Sequence, residues 1–358
     1  MDIYRYIDRE KVQFDFAVTS PGVETQFFYQ EIISLGGHVY EIHPLRTVGI
    51  VKNFRQWKTL FKDGNYKIVH AHLSIASGFP LFIAWIAGVP KRIAHARNSN
   101  YKKFKPMRDK IRLPIFRVLI KIFPTDRIYC SPEAATYIFG KHALKKRNTY
   151  FLPNAIHLSS FSEIDEERKK ELRQELGVAD AGYVLGTVGN AGFINNIKNH
   201  IFLVRAFHQF LLKNPQAILL IVGDDAKDVA AKEYVSENGL HDSVKFLGVR
   251  NNISEILQIF DVFLLPSVSE GAPGSAIEAQ AANVPCILSD VITRAVDVGA
   301  GLVKYISLDA PLEYWAEEML NSCQMVRPKV ADTIALMRRA GYDVSTSSET
   351  LLKIYGLN

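Results

Sequence analysis

Two carboxylates, Glu270 and Glu278, bracket the most chemically suggestive stretch of the chain, Pro266-Ser267-Val268-Ser269-Glu270-Gly271-Ala272-Pro273-Gly274-Ser275-Ala276-Ile277-Glu278-Ala279. An apolar run, Val262–Ser267, ends in a Gly/Pro/Ser turn, and an Ala-rich segment follows. That is the pattern of a strand, a tight loop and a helix. Backbone N–H groups of such a loop, with those left unpaired in the first helical turn, attract phosphate, and the helix dipole adds to the attraction. Glu270, at the strand end, would point into a cleft. Glu278, one turn into the helix, could accept hydrogen bonds from ribose hydroxyls. Each also has an ordinary explanation. Ser275-x-x-Glu278 has the spacing of a capping box, in which the glutamate only satisfies the cap residue's N–H. Glu270 beside a glycine is equally a solvated loop acid.

Other polar residues invite weaker readings. Val69-His70-Ala71-His72 closes a strand-like run, and alternation puts both imidazoles on one face, with His72 nearer the carboxyl end. A buried structural histidine is the plain alternative. Asp224-Asp225 after Gly223 resembles a metal-binding acid pair, but nothing converges on it, and adjacent acids at a strand end are usually loop or cap residues. Cys130, Cys286 and Cys323 lie in or beside apolar stretches without metal-like spacing, which predicts reduced, buried thiols. The net charge of +6 is concentrated between Lys102 and Lys121, where Lys102, Lys103, Lys105, Arg108, Lys110, Arg112, Arg117 and Lys121 face one acid, Asp109. Leu113, Phe116, Leu119, Ile120 and Phe123 are interleaved at roughly helical spacing. A basic amphipathic helix over 102–121 suits an anionic membrane surface or an acidic ligand; equally, its apolar face could sit in the core with its charges solvated. No nucleic-acid module accompanies the charge, so no nucleic-acid partner is expected.

The elements that must position these residues follow from the rest of the chain. At 358 residues it is long enough for two compact domains, and 48% hydrophobic with 22% charged residues is ordinary for a globular protein. No apolar run reaches the ~18 residues of a membrane span, and the first residues lack the apolar core of a secretory signal. The expected location is the cytoplasm. Strand candidates are Phe14–Ser20, His38–Ile42, Lys67–His72, Arg92–Asn98, Arg127–Ser131 and Thr149–Pro153. A second series comprises Tyr183–Gly189, Ile218–Gly223, Val244–Gly248, Val262–Ser267, Pro285–Asp290 and Leu302–Leu308. Helix-like segments between them include Thr25–Leu35, Ile75–Ala87, Asn199–Leu212, Asp228–Glu237 and Ser275–Ala282. This alternation, with near-continuous apolar strands, predicts parallel sheets covered on both faces. It breaks from Ile156 to Gly182, around the charged run Ser162–Glu171, read as a linker and the first helix of a second domain. The prediction is an α/β chain with two doubly wound, Rossmann-like domains facing an interdomain cleft: 1–157, 158–340, and a closing helix within 341–358.

Glu270-x7-Glu278, within Ser-Glu-Gly-x-Pro-x-x-x-x-Glu-Ala, resembles the signature of family 4 retaining glycosyltransferases, which have the GT-B fold. Leu152-Pro153-Asn154-Ala155-Ile156 is similar to that family's Pro-Asn-Gly-Ile junction. Val244–Ser267 resembles its run of strand, Leu-Gly, loop, helix and Asp-Val-Phe-Leu-Leu-Pro-Ser. Gly341-Tyr342-Asp343 with the following Leu/Tyr helix looks like the close of bacterial exopolysaccharide and capsule members. The resemblance spans nearly the whole chain. It implies that Glu270 contacts the donor sugar and supports catalysis, that Glu278 binds the nucleotide ribose, and that Gly271, Ala272, Pro273, Gly274 and Ser275 hold sugar and diphosphate. It further implies that Lys198 sits on the donor phosphates, that Gly189 and Asn190 open the loop ahead of it, and that Val249 and Arg250 lie against the base. His72 matches the catalytic-histidine segment, with His95 and Arg97 on the acceptor side. No metal or other cofactor is implied, since such enzymes use basic residues and helix dipoles in place of a cation.

Two departures stand out. The family arginine five residues before the phosphate lysine falls on Phe193 here, or on Asn190 in the alternative alignment, and neither is cationic; Arg250 or Arg97 would have to substitute. The chain also opens inside what resembles the family's first helix, so an opening strand and glycine loop are expected to be missing. The expected function is transfer of a hexosyl unit, with retention, from a nucleotide sugar (UDP-linked in the first instance) to a lipid-linked glycan, peripherally at the inner face of the cell membrane. The alternatives are a catalytically weak partner subunit completed by another chain, and a nucleotide-sugar epimerase.

Overall fold

A computed structural model describes residues 1–25, 27–97, 107–190 and 197–357, with the backbone alone for 107–112. The chain divides into two compact units, Met1–Ala155 with Val344–Asn358, and Ile156–Asp343.

In the first unit, β1 (Phe16–Val18) and β2 (Val39–Glu41) pair in parallel, Phe16 opposite Val39. A separate four-stranded parallel sheet holds β3 (Ile68–Ala71), β4 (Lys91–Ala96), β5 (Asp126–Tyr129) and β6 (Thr149–Phe151), in that order. A short helix, Asp2–Tyr6, precedes β1. One hydrophobic cluster gathers Tyr4, Ile93, Ile128, Leu152 and Leu351, and another gathers Trp57, Phe61, Phe79 and Ile83. Ile68 packs with the first and its neighbour Val69 with the second. Because successive strand residues point to opposite sides, the two clusters cover opposite faces of the sheet. The last helix, Val344–Tyr355, returns to this unit and buries Leu351, Ile354 and Tyr355 in the first cluster.

The basic segment falls partly outside the described residues, which omit 102–106. Its helix runs Met107–Ile122. Ile120 is fully buried, Phe116 packs on Phe79 at 5.9 Å, and Phe123 packs on Phe82 at 4.8 Å, so of the two readings left open the core-facing one holds for these residues, and they are not a membrane-facing surface. Ile115, Val118 and Ile122, which that reading did not include, lie on the exposed side.

The second unit holds one six-stranded parallel sheet. Its strands are β7 (Tyr183–Val188), β8 (Ala217–Val222), β9 (Val244–Gly248), β10 (Val262–Leu265), β11 (Cys286–Ser289) and β12 (Val303–Ile306), in the order β12-β11-β10-β7-β8-β9. β10 and β11 are buried along their whole length, as continuous apolar runs require when both faces are covered. The helix His200–Leu211 buries Leu203, Val204, Phe207 and Phe210 at helical spacing, beside Trp315 and Met319. Truncating such a core residue to alanine costs about 2–5 kcal/mol. The segment read as linker and first helix is a short turn, Leu158–Phe161, then the helix Glu166–Glu175, whose Asp165 accepts the N–H of Arg168 at 2.8 Å. Strand order runs outward one way from β7 and the other way from β10. The chain ends leaving those two strands therefore diverge, and in open parallel sheets that crevice is where ligands bind.

Candidate functional site

The two strands at this switch point deliver the residues singled out by their chemistry. The loop after β10 carries Glu270, and the segment before the helix His200–Leu211 carries Lys198. Val268 N–H donates to the Ile197 carbonyl at 2.9 Å, which lays one segment along the other. Lys198 Nζ then meets Glu270 Oε1 at 2.9 Å, with the two side chains 18% and 16% exposed. Ser267 Oγ donates to the same oxygen at 3.1 Å. A half-buried ion pair of this kind holds a cation in a fixed place without closing it off from an incoming ligand. Gly189, the first residue past β7, makes the approach possible: a Cβ there would lie 2.6 Å from Lys198 Cε. Gly223, past β8, is equally constrained, since its Cβ would lie 2.5 Å from the Gly189 carbonyl oxygen. Asn190 spans the same two strand ends, its side-chain oxygen accepting Asp224 N–H at 2.8 Å. The loop that follows, 191–196, including Phe193, lies outside the described residues.

Beyond Glu270, Ala272 and Pro273 are buried and the helix Gly274–Ala281 begins. Its N-cap is Pro273, which offers no side-chain cap. This corrects the capping-box reading: Ser275 lies inside the first turn rather than at the cap, and its buried Oγ has no hydrogen-bond partner. The first-turn N–H groups therefore meet no capping side chain, which is the arrangement that receives an anion. Glu278 lies half-buried on the same helix. Gln280, fully buried, braces the helix by donating to the carbonyls of Ala276 and Val296 at 2.9 and 2.8 Å. Val249 is 67% exposed past β9, and Arg250 Nε donates to the Leu247 carbonyl at 3.0 Å. The acid pair after β8 is engaged locally. Asp224 accepts Ala226 N–H at 3.0 Å, and Asp225 meets Lys232 Nζ at 3.0 Å.

One feature of this unit went unread in the sequence. His200 Nδ1 and Asp228 Oδ2 form a buried pair that joins the start of the Lys198 helix to the loop after β8. The available signal was a histidine and an aspartate, each opening a helix, in segments that follow the adjacent strands β7 and β8.

In the first unit, His70, His72 and His95 stack at the carboxyl ends of β3 and β4. Ring centroids are 4.3 Å apart for His70–His72, 4.9 Å for His72–His95 and 5.2 Å for His70–His95. His70 and His72 share a face, as alternation predicts. His70 is the hub, with Nδ1 2.8 Å from the Tyr355 hydroxyl and Nε2 3.2 Å from His95 Nδ1. Sequence reasoning passed over this, because Tyr355 comes from the far end of the chain. His95 is 2% exposed, whereas the open surface of His72 faces a cavity that it lines with His70, His95 and Arg97. Burial first, then the positive charge of Arg97, holds the His70 imidazole down to about 3. Burial and neighbouring charges also put His72 and His95 well below the ordinary value. All three are neutral at pH 7, the state a metal ligand needs, and their ring nitrogens lie within 4.8 Å of one another. The Arg97 guanidinium that depresses them also repels a cation. Cys130 and Cys286 are buried, Cys323 is half-buried, and burial raises all three thiols, so none is a ready nucleophile.

Comparison with known proteins identifies the family and the fold. A family model described as glycosyl transferases group 1 matches residues 182–319. The chain is 32% identical to EpsF of Bacillus subtilis (strain 168), named as a glycosyltransferase, over 100% of this chain and 92% of EpsF. It is 28% identical to CapH of Staphylococcus aureus, named as a capsular polysaccharide biosynthesis glycosyltransferase, over 81% and 76% of the two chains. It is also 28% identical to the Escherichia coli UDP-Gal:alpha-D-GlcNAc-diphosphoundecaprenol alpha-1,3-galactosyltransferase, over 69% and 64%. The solved structure of Anabaena HepE in complex with UDP superposes with a TM-score of 0.75 at 18% identity, covering 99% of this chain and 94% of HepE. The chain therefore belongs to the group 1 glycosyltransferases of the exopolysaccharide and capsule type, the family 4 kind indicated by its Glu270–Glu278 motif, and it has their GT-B fold.

Proposed function

We propose that this glycosyltransferase moves a hexosyl unit from a UDP-sugar, with retention of configuration, to a lipid-linked glycan in exopolysaccharide or capsule synthesis. The Lys198–Glu270 pair at the β7/β10 switch point carries the reading. In this scheme the donor diphosphate lies against Lys198 and the uncapped amides of the helix Gly274–Ala281, and Ser275 Oγ gains the partner it lacks. As the bond from the anomeric carbon to phosphate breaks, charge grows on the departing diphosphate, and a fixed ammonium with aimed amides stabilises it without a metal ion. Glu270 orients Lys198 and the sugar, Glu278 takes the ribose hydroxyls, and Val249 and Arg250 take the base. The acceptor hydroxyl bonds to the anomeric carbon on the face the diphosphate leaves, passing its proton to the leaving oxygen. His72, with His95 and Arg97, belongs to the acceptor side, and neutral imidazoles there can accept a hydroxyl hydrogen bond.

A donor of UDP type and an acceptor on a diphospholipid accord with the E. coli relative, whose name states both. A membrane-side, cytoplasmic setting accords with the exposed patch of Ile115, Val118 and Ile122, next to which Phe123 packs on the half-exposed Trp85 at 5.2 Å. Lys121 is exposed among them, the mixture of apolar and basic groups that an anionic bilayer surface accepts. No helix among the described residues is long and apolar enough to cross a membrane.

Isothermal titration with UDP and a panel of UDP-sugars tests the donor assignment, and absence of binding at millimolar nucleotide sinks it. Full turnover by Glu270→Ala would refute that residue's part. Sugar conversion without any acceptor would replace transfer by epimerisation. The division of the first unit's strands into two sheets favours a second reading, a subunit of low activity that another polypeptide completes. Assays of the isolated chain decide it, since full activity alone excludes the need for a partner.

A further inference from the structure

Lys198 stands at a reversal of the chain that its neighbours in sequence do not secure. Asn199, the N-cap of the helix His200–Leu211, has φ 58° and ψ 44°, a left-handed backbone that residues with side chains adopt only at a cost. Its side chain makes no capping hydrogen bond, and neither does that of Asp228, the N-cap of the helix Val229–Glu237. Asn and Asp are among the residues best suited to capping. Here neither caps, and the Asp228 carboxylate goes to His200 Nδ1 instead. Both members of this pair are 1% exposed. Asp228 stands on a fixed base, its N–H donating to the Asp225 carbonyl at 3.0 Å and its carbonyl accepting Lys232 N–H at 3.1 Å. Strand order shows what the link does. β7 lies between β10 and β8. Lys198 reaches to the β10 side, where it meets Glu270, and His200 reaches to the β8 side, where it meets Asp228. Residues 198–200 therefore straddle the end of β7 and are tied on both flanks.

We propose that His200 and Asp228 are positioning residues for transfer: their buried pair holds Asn199 in its left-handed turn and so sets where the Lys198 ammonium stands. The inference rests on the donor-side reading of Lys198 given above. A buried polar pair is a poor source of stability, because desolvation offsets its attraction, and apolar residues of similar volume often replace it without loss. What such a pair supplies here is a fixed place for the backbone behind the lysine. That place matters once a donor is bound. In the free protein the tip of the side chain is held by Glu270 at 2.9 Å. As the ammonium turns to the diphosphate, it shares that contact, and the backbone at residues 198–200 is left to aim it. A shift of about 1 Å in a reacting group is enough to cost roughly 100-fold in rate. His200 and Asp228 thus act through Lys198. A pair that merely braced two helices would act on folding, and its loss would add to any loss at Lys198.

The test is a cycle of variants of the full-length protein. His200→Phe combined with Asp228→Leu removes both polar groups at similar volume, and kcat with a UDP-sugar is expected to fall about tenfold or more while the melting temperature holds. In a Lys198→Ala background the same double change is expected to lower kcat by less than about twofold, because its route to the reaction is already gone. Two single variants keep the test independent of how the apolar pair folds. In His200→Asn the amide nitrogen takes the place of Nδ1, and in His200→Gln that of Nε2, so His200→Asn is expected to retain the larger share of kcat. One readout needs no turnover: the two Lys198 Hε resonances, distinct while the side chain is held, are expected to merge in the double variant. The proposal is overturned if the double variant keeps kcat within about twofold, or if its loss is undiminished in the Lys198→Ala background. It is equally overturned if His200→Gln matches or outruns His200→Asn, or if the Hε resonances do not change. Absence of UDP binding by the unaltered protein would overturn the donor reading, whereas an active protein indifferent to the double change overturns this inference alone.

Discussion

The two units are written in the same alternation of apolar strands and helices, yet among the described residues the second forms one sheet and the first forms two. In the second unit the strand order brings Gly189, Lys198 and Glu270 together from segments of one contiguous stretch, Ile156–Asp343. The first unit has its strands in two sheets with a cavity between them, and its histidine cluster depends on Tyr355 from the far end of the chain. On the proposed reading, the anion site needs only the β7/β10 switch point of one continuous sheet. The histidine cluster instead sits at the edge of a four-stranded sheet and draws on a residue from a distant part of the chain.

Replacing the cation gives the severest test of that contrast. Lys198→Ala is expected to lower kcat/KM for a UDP-sugar by about 100-fold or more, the usual loss when a group aimed at developing charge is removed. Steady-state kinetics measure it, and unchanged amide protection around His70 would show that the damage stays within the second unit. A loss under threefold would break the claim that this unit's site is self-sufficient.

Gly189→Val probes the same site through sterics alone. Its Cβ would fall 2.6 Å from Lys198 Cε, so the ammonium must shift while the charge is retained. Displacement on that scale is expected to cost about 10- to 100-fold in turnover. UDP titration beside kinetics would show whether binding or the chemical step suffers.

The third effect is one of acidity, read in stability rather than in turnover, and it falls on the other unit. The unfolded chain's histidine titrates near 6.5, whereas folded His70 titrates near 3. Between those values the unfolded chain binds more protons. The stability due to the neutral imidazole is therefore present above pH 6.5 and is lost as pH falls towards 3. Each such histidine costs up to about 1.4 kcal/mol per pH unit in that window. Thermal melts at pH 7, 6 and 5 should show the first unit weakening more steeply than the second, and His70→Gln should flatten the slope. Equal slopes in both units would remove this distinction between them.

How much was legible beforehand follows the same division. Strands such as Val262–Leu265 and Ala217–Val222 could be read because both faces are buried and every residue is apolar. Glu270 and Lys198 could be read because a loop between a strand and a helix is a local pattern. Ser275 misled, since its spacing from Glu278 fits a capping box while the helix begins a residue earlier, at Gly274. Contacts that join distant segments left no local trace. His200 with Asp228, His70 with Tyr355, and the second, outward face of the helix Met107–Ile122 all depend on what a neighbouring element brings alongside.

The return of Val344–Tyr355 to the first unit has a consequence for biosynthesis. Residues 156–343 hold everything their unit needs and can fold as soon as they leave the ribosome. The residues of the first unit up to 155 are translated earlier but lack Leu351, Ile354 and Tyr355 from their core until residues 344–355 are made. At about 5–20 residues per second, their unfinished apolar surface stays open for roughly ten seconds or more while the second unit is made. The unit to which residues 1–155 belong is thus completed only after the second unit has been made, and nascent-chain chaperones would be drawn to it rather than to the second unit.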